Sequence, residues 1–227
     1  MITKKARFVR FVKKQEMRKL CACIFYLNFI GIFLKIDLFS NSICQILLMI
    51  FTLSCFHIYI YEWMEKRFDE FIENKQKGRL VKNIVQEIRK IAKELVMFLP
   101  VLLVSGLITN FVMTGTPENE ASVMKDFYES PFSVFILAVV IGPIIEEFIC
   151  RFLPYKFIKN KIVYIIVSAT IFALLHVVDD PNAFYYVWFY MMRPLWYGYR
   201  YYETKDIWVT ISMHSFNNFL SFLSLIF

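Results

Sequence analysis

The feature that most constrains this chain is a series of apolar stretches long enough to cross a lipid bilayer. A membrane-spanning helix needs about 20 mostly apolar residues to cross about 30 Å of hydrocarbon. Apolar and aromatic residues make up 58% of the 227 residues, charged residues make up 20%, and the mean hydropathy is +0.51. A soluble chain of this size could not hide so much apolar surface from water. The composition therefore excludes an ordinary soluble enzyme and a disordered chain, and it predicts an integral membrane protein.

The apolar pattern predicts an all-α, multi-pass transmembrane helical bundle. In span four, Ser130 is the expected N-cap and Pro131 the first helical residue. We expect one integrated membrane domain, in which residues 1–130 hold a basic arm and three spans and residues 131–227 form a core of four spans. The seven predicted spans are 20–34, 43–61, 95–113, 132–153, 162–178, 184–199 and 207–227.

Charge predicts the orientation of these spans in a cell membrane. Residues 1–19 carry eight lysines and arginines against Glu16, which accounts for the whole net charge of +7. By the positive-inside rule, the N-terminus is cytoplasmic, the acidic segment 114–130 lies outside, and the basic turns near 156–161 and 200–205 lie inside. Because the positive charge belongs to one arm, we expect a lipid bilayer as partner and no nucleic acid.

Segment 62–94 is too charged to be a span, although its apolar residues recur at helical spacing. We predict two amphipathic helices on the cytoplasmic membrane face, separated at Gly78. A helical linker that packs on the bundle is the alternative. The many aromatic residues of span six are expected to face lipid and the membrane interface.

A few polar residues lie inside the predicted spans, where a charge is costly and is a functional hypothesis by default. Glu147 and Arg151 are four residues apart on span four, so we expect them to pair. Glu146 projects about 100° away around the helix and lacks that partner. For Arg193 in span six, pairing with an acid or reaching the interface is favoured over binding a substrate carboxylate. Asp180 is expected in a capped turn.

Helix spacing brings four polar side chains to one region of the bundle. Glu146 and His176 lie fifteen residues on either side of Lys161, in the turn between spans four and five, and hence at similar depth. His214 and Asn218 project from one face of span seven. The pair Gly142-Pro143 should kink span four one turn before Glu146.

These residue types suit the attack of water on an amide carbonyl. A desolvated carboxylate can take a proton from water, a nearby imidazole can share that task, and a second imidazole with a carboxamide can stabilise an oxyanion. One carboxylate and two histidines also form a known zinc set, although HExxH is absent. Sequence leaves zinc-bound water and carboxylate-activated water open, with Cys150 as a minor alternative nucleophile.

Three motifs in order resemble a known family. They are EExxxR at residues 146–151, FxxxH at residues 172–176 and HxxxN at residues 214–218. Their order and spacing are similar to those of the CAAX-protease and bacteriocin-processing family (CPBP, or Abi) of intramembrane endopeptidases. The resemblance covers about residues 131–220. Phe152 departs from it, because many members have glycine at that position.

The resemblance implies proteolysis of a peptide or membrane-protein substrate within the membrane. Glu146 and His176 would activate water, and His214 and Asn218 would stabilise the oxyanion. Glu147 and Arg151 would hold the site together, and the need for a metal stays open. Bacterial members are linked to bacteriocin self-immunity or peptide maturation. The alternative is a catalytically inactive membrane immunity or scaffold protein that binds a peptide or partner.

Overall fold

The computed structural model describes residues 63–178 and 180–227. The predictions for the basic arm and for spans 20–34 and 43–61 lie outside these residues. Within the described part of the chain, the regular structure is entirely helical, which confirms the all-α prediction. The chain divides into two compact units, Met1–Val85 and Gln86–Phe227. The expected boundary between residues 130 and 131 stays a prediction.

Seven helices cover the described residues. The first unit contains helix α1, which covers 63–76, and the first turns of α2. The second unit holds most of α2 and all later helices. The bounds after α1 are α2 Leu80–Val112, α3 Glu118–Glu129, α4 Pro131–Tyr155, α5 Lys161–Val177, α6 Ala183–Thr204 and α7 Ile207–Ile226.

The segment before span three differs in part from its prediction. A turn does separate two helices at Gly78, whose φ of +63° favours glycine. The second helix, however, does not end before span three: α2 runs unbroken from Leu80 to Val112 and tolerates Pro100 in its interior. The second predicted helix therefore continues into span three, because no turn residue interrupts its helical pattern. A location on the cytoplasmic face stays a prediction.

Two of the described helices, α2 and α4, are long and apolar enough to cross a membrane. Helix α5 is apolar but has 17 residues. The count of seven spans and the cytoplasmic N-terminus stay predictions.

The helix ends near the site are fixed by side chains of the expected kinds. The Asn160 side chain accepts a hydrogen bond from the Val163 N–H at the start of α5, and Asp206 caps α7 by accepting from the Trp208 N–H. Ser130 does precede α4, with Pro131 first in the helix, but its hydroxyl contacts Ser133 instead of a backbone N–H.

Helix α6 packs against both α5 and α7. Helices α5 and α6 make the most extensive contact, and α7 packs against α4. One buried apolar cluster joins α2, α6 and α7 through Phe98, Tyr197, Val209 and Met213. At one end of this cluster, Arg200 donates two hydrogen bonds to the buried Glu94 carboxylate, at 2.7 and 2.6 Å. This paired charge fixes α6 to α2.

The aromatic residues of α6 divide between two sides of the helix. Phe184 and Trp188 are exposed, as expected for a lipid-facing side, but Tyr186, Tyr197 and Tyr201 are buried. The expectation that the aromatic residues of span six face lipid or the interface is wrong for Tyr186 and Tyr197, because they lie on the side of α6 that packs into the bundle. Phenol rings suit this place, since each offers a large apolar body and one hydroxyl.

Candidate active site

Helix α4 is irregular where it carries the two glutamates. Wider π-helical turns at Phe135–Ile141 and Phe148–Phe152 flank the α-helical segment Gly142–Glu147. The Gly142 N–H donates to the Leu137 carbonyl, and a Cβ at Gly142 would lie only 2.9 Å from that oxygen. Glycine is therefore required by this close approach. π-helical turns inside α-helices are frequent at functional sites.

The same irregularity positions Asn218. In the π-helical register the Ala138 carbonyl would accept from residue 143, but Pro143 has no N–H. The Asn218 Nδ2 donates to that carbonyl instead, at 2.8 Å. The Gly142-Pro143 pair, expected to produce a kink, thus gives a carbonyl that orients a carboxamide of α7.

Glu146 meets both described histidines. Its Oε2 atom lies 3.7 Å from His176 Nε2 and 3.7 Å from His214 Nε2. These distances are too long for direct hydrogen bonds. Glu146 Oε2 is buried and has no hydrogen-bond partner among the described residues. A buried carboxylate oxygen facing two imidazole nitrogens is a natural contact point for a water molecule or a polar substrate group.

The ring of His176 is fixed from its other nitrogen. His176 Nδ1 lies 2.9 Å from the Phe172 carbonyl, which can only accept, so Nδ1 carries a proton. In the neutral ring Nε2 is then unprotonated and faces Glu146. The ring also stacks on Phe172, with centroids 4.3 Å apart. The FxxxH spacing thus supplies both a hydrogen-bond acceptor and a stacking surface for this imidazole.

Glu147 connects Arg151 to His214. Both members of the Glu147–Arg151 pair are fully buried, with Nη1 and Oε1 3.2 Å apart. The same Oε1 atom lies 3.0 Å from His214 Nδ1. The Arg151 guanidinium also lies over the Phe172 ring at 4.8 Å. Glu147 therefore orients His214 so that its Nε2 faces Glu146, a contact that the sequence did not predict.

A cavity of about 500 Å³ opens beside these groups. His176, His214 and Asn218 line it together with residues of α2, α3 and α6. Cys150 is fully buried, so its sulfur has no access to a substrate carbonyl in this structure.

The described residues contain no group of three or more His, Cys, Asp or Glu side chains arranged to hold a metal ion. Glu146, His176 and His214 lie near one another without forming such a group, and the proposed chemistry uses their side chains alone.

Two tyrosines of α6 complete the surroundings of the histidines. The Tyr190 ring lies 5.2 Å from the His176 ring, and the Tyr197 ring stacks on His214 at 5.6 Å. Sequence reasoning missed both. Their spacing of seven residues, with Arg193 between them, puts them on one helix face and is the signal that could have found them.

Residues 128–220 match the family model of the type II CAAX prenyl endopeptidase, Rce1-like. The match supports an assignment to the CPBP/CAAX protease family. The matched segment contains all three motifs and extends from the end of α3 into α7. No curated protein and no solved structure matches the chain significantly. That family is membrane-embedded and consists of proteases, which act on peptide substrates in a lipid bilayer.

Proposed function

We propose that this CAAX-protease family member is an intramembrane endopeptidase that hydrolyses a peptide bond with water activated by Glu146 and His176. The observation that carries the proposal is the Glu146 Oε2 atom, buried and 3.7 Å from Nε2 of both His176 and His214. Two groups at this separation can each contact the same water molecule at an ordinary hydrogen-bond distance of about 2.8 Å.

In the first step, the oxygen of that water attacks the carbonyl carbon of the substrate. A proton of the water passes to Glu146 or to the unprotonated Nε2 of His176. A positioned base of this kind contributes roughly 10²–10⁴-fold to a rate. The product is a tetrahedral intermediate with negative charge on the former carbonyl oxygen.

His214 is the proposed stabiliser of that oxyanion. Its Nδ1 donates to Glu147 at 3.0 Å, and its Nε2 lies 3.7 Å from Glu146. When the ring also carries a proton on Nε2, that N–H can donate to the oxyanion. Asn218 lines the same cavity, and its carboxamide is held by the Ala138 carbonyl.

In the second step, the intermediate collapses and the C–N bond breaks. The proton held by Glu146 or His176 moves to the leaving nitrogen, which departs as an amine, and the other product carries a new carboxylate. Neither a covalent enzyme intermediate nor a metal is needed. The physiological role that we propose is peptide maturation or bacteriocin self-immunity, in which the substrate is a peptide or membrane protein.

The test is cleavage by the purified protein in lipid nanodiscs of a pool of apolar peptides, with products identified by mass spectrometry. We expect defined cleavage by the wild type and none above background by Glu146→Gln. Glu129→Gln is the matched control, because Glu129 is an exposed glutamate at the end of α3. Equal product from the wild type and Glu146→Gln would reject the proposal.

A further inference from the structure

Arg193 has an unusual environment for a charge inside an apolar helix bundle. Its Nε donates to the Ser105 Oγ at 3.0 Å, and the buried Ser105 hydroxyl donates in turn to the Leu102 carbonyl at 3.2 Å. No carboxylate of the described residues lies within ion-pair distance of Arg193, so the expected pairing with an acid is absent from this part of the chain. The guanidinium is anchored to α2 at one end only.

The rest of the guanidinium is available in the cavity. Arg193 lines the same cavity as His176 and His214. Within residues 63–178 and 180–227, neither Nη atom has a hydrogen-bond acceptor. A guanidinium presents its N–H groups as a planar fork that matches a carboxylate. An arginine inside a membrane segment is costly and is a functional hypothesis by default.

Helix geometry places Arg193 next to the hydrolytic groups. Arg193 lies three residues after Tyr190, which contacts His176, and four residues before Tyr197, which stacks on His214. These three residues share one face of α6, and Arg193 lies about one turn of 5.4 Å from each tyrosine. An extended peptide advances about 3.3 Å per residue, so a substrate lying along α6 would cover one helical turn in about two residues.

We propose that Arg193 is a specificity-determining residue that binds a carboxylate of the substrate close to the scissile bond. The carboxylate is either the C-terminal group of the peptide or an acidic side chain. This inference rests on the proposed peptidase function, which defines the scissile bond.

Glu120 of α3 is the competing group at this end of the cavity. It lines the cavity, and its carboxylate lies 3.5 Å from the Tyr190 hydroxyl. Partial desolvation raises the pKa of Glu120 above its ordinary value, whereas the attraction of Arg193 opposes this rise. The Glu120 carboxylate is thus attracted to the Arg193 guanidinium, although the two groups do not form an ion pair. Removing its charge should strengthen binding of a substrate carboxylate.

The experiment measures binding separately from cleavage. Three fluorescent apolar octapeptides are titrated by anisotropy into Glu146→Gln protein in nanodiscs: one with a free C-terminal carboxylate, one with a C-terminal amide, and one amide with a glutamate near its end. We expect the free acid or the glutamate peptide to bind roughly tenfold more tightly than the plain amide. The reason is that a carboxylate can accept two charge-assisted hydrogen bonds from the Arg193 guanidinium. Whichever peptide binds tightly identifies the source of the carboxylate.

Second-site variants in the Glu146→Gln background decide the role of Arg193. Arg193→Gln should abolish the preference and leave binding of the plain amide unchanged, which also shows that the variant is folded. Glu120→Gln, which removes the competing carboxylate, should increase the preference. If Arg193→Gln does not fold, Arg193→Lys is used instead. It should give a weaker preference for the carboxylate than the Glu146→Gln protein with Arg193, because an ammonium group lacks the planar pair of donors of a guanidinium.

Equal binding of all three peptides, no binding of any of them, or a full preference in Arg193→Gln or Arg193→Lys would overturn the inference. Failure of the proposed function looks different: the wild type would cleave none of the peptides while the Glu146→Gln protein still preferred the carboxylate. Conversely, cleavage of acid and amide peptides with equal efficiency would reject the role of Arg193 and leave the peptidase intact.

Discussion

Replacing Arg151 by methionine should destabilise the fold because it leaves a buried carboxylate without its main partner. Glu147 and Arg151 are both fully buried, and their charged atoms lie 3.2 Å apart. Removing one member of such a pair typically costs about 3–5 kcal/mol. His214 still contacts Glu147 at 3.0 Å, so we expect the lower end, about 3 kcal/mol. That corresponds to roughly a hundredfold change in the unfolding equilibrium.

The assay is equilibrium unfolding by sodium dodecyl sulfate in mixed micelles, followed by tryptophan fluorescence. A double-mutant cycle with Glu147→Gln isolates the pair, since the double variant removes both charges of the pair and should be more stable than the two single losses predict. Lys161→Met is the matched control, because Lys161 pairs with Glu203 at the exposed turn and should change stability little. Wild-type stability in Arg151→Met, or strict additivity in the cycle, would refute the reasoning.

Three further predictions concern Asn218, Glu120 and the removal of metal ions. Asn218→Ala should cost about 1–3 kcal/mol by leaving the Ala138 carbonyl unpaired, and it should lower kcat by about 10²-fold; unchanged unfolding and kinetics would contradict both roles of the carboxamide. The raised pKa of Glu120 means that the folded state holds this proton more tightly than the unfolded state, so wild-type stability relative to Glu120→Gln should fall as pH rises through the carboxyl range. Unfolding at about pH 4 and about pH 8 measures this difference, and the opposite slope would exclude it. Dialysis against a metal chelator should leave peptidase activity intact, because the proposed steps use only side chains of this protein and water; loss that added zinc restores would require a metal.

The sequence predicted the part of the site that depends on helix periodicity. The i, i+4 relation of Glu147 and Arg151 and the common depth of Glu146 and His176 follow from regular helix geometry, and the structure brings these residues together. Their catalytic roles stay predictions. Periodicity also predicted the starts of α4, α5 and α7 to within a residue or so.

Contacts that depend on irregular backbone or on packing between distant helices were not predictable in this way. The link between Asn218 and Ala138 needs a π-helical turn in addition to a proline. The contact between Glu147 and His214 depends on how α7 packs on α4. The burial of Tyr197 depends on which side of α6 meets the bundle, and an aromatic helix gives little contrast between its faces.

The central claim is that Glu146 acts directly in peptide-bond hydrolysis. The most direct measurement is the single-turnover rate of one cleaved peptide, compared among the wild type, Glu146→Gln and Glu129→Gln at matched folded fractions. We predict that Glu146→Gln lowers the rate by at least about 10²-fold, while Glu129→Gln stays within about twofold of the wild type. A wild-type rate in Glu146→Gln would contradict the account.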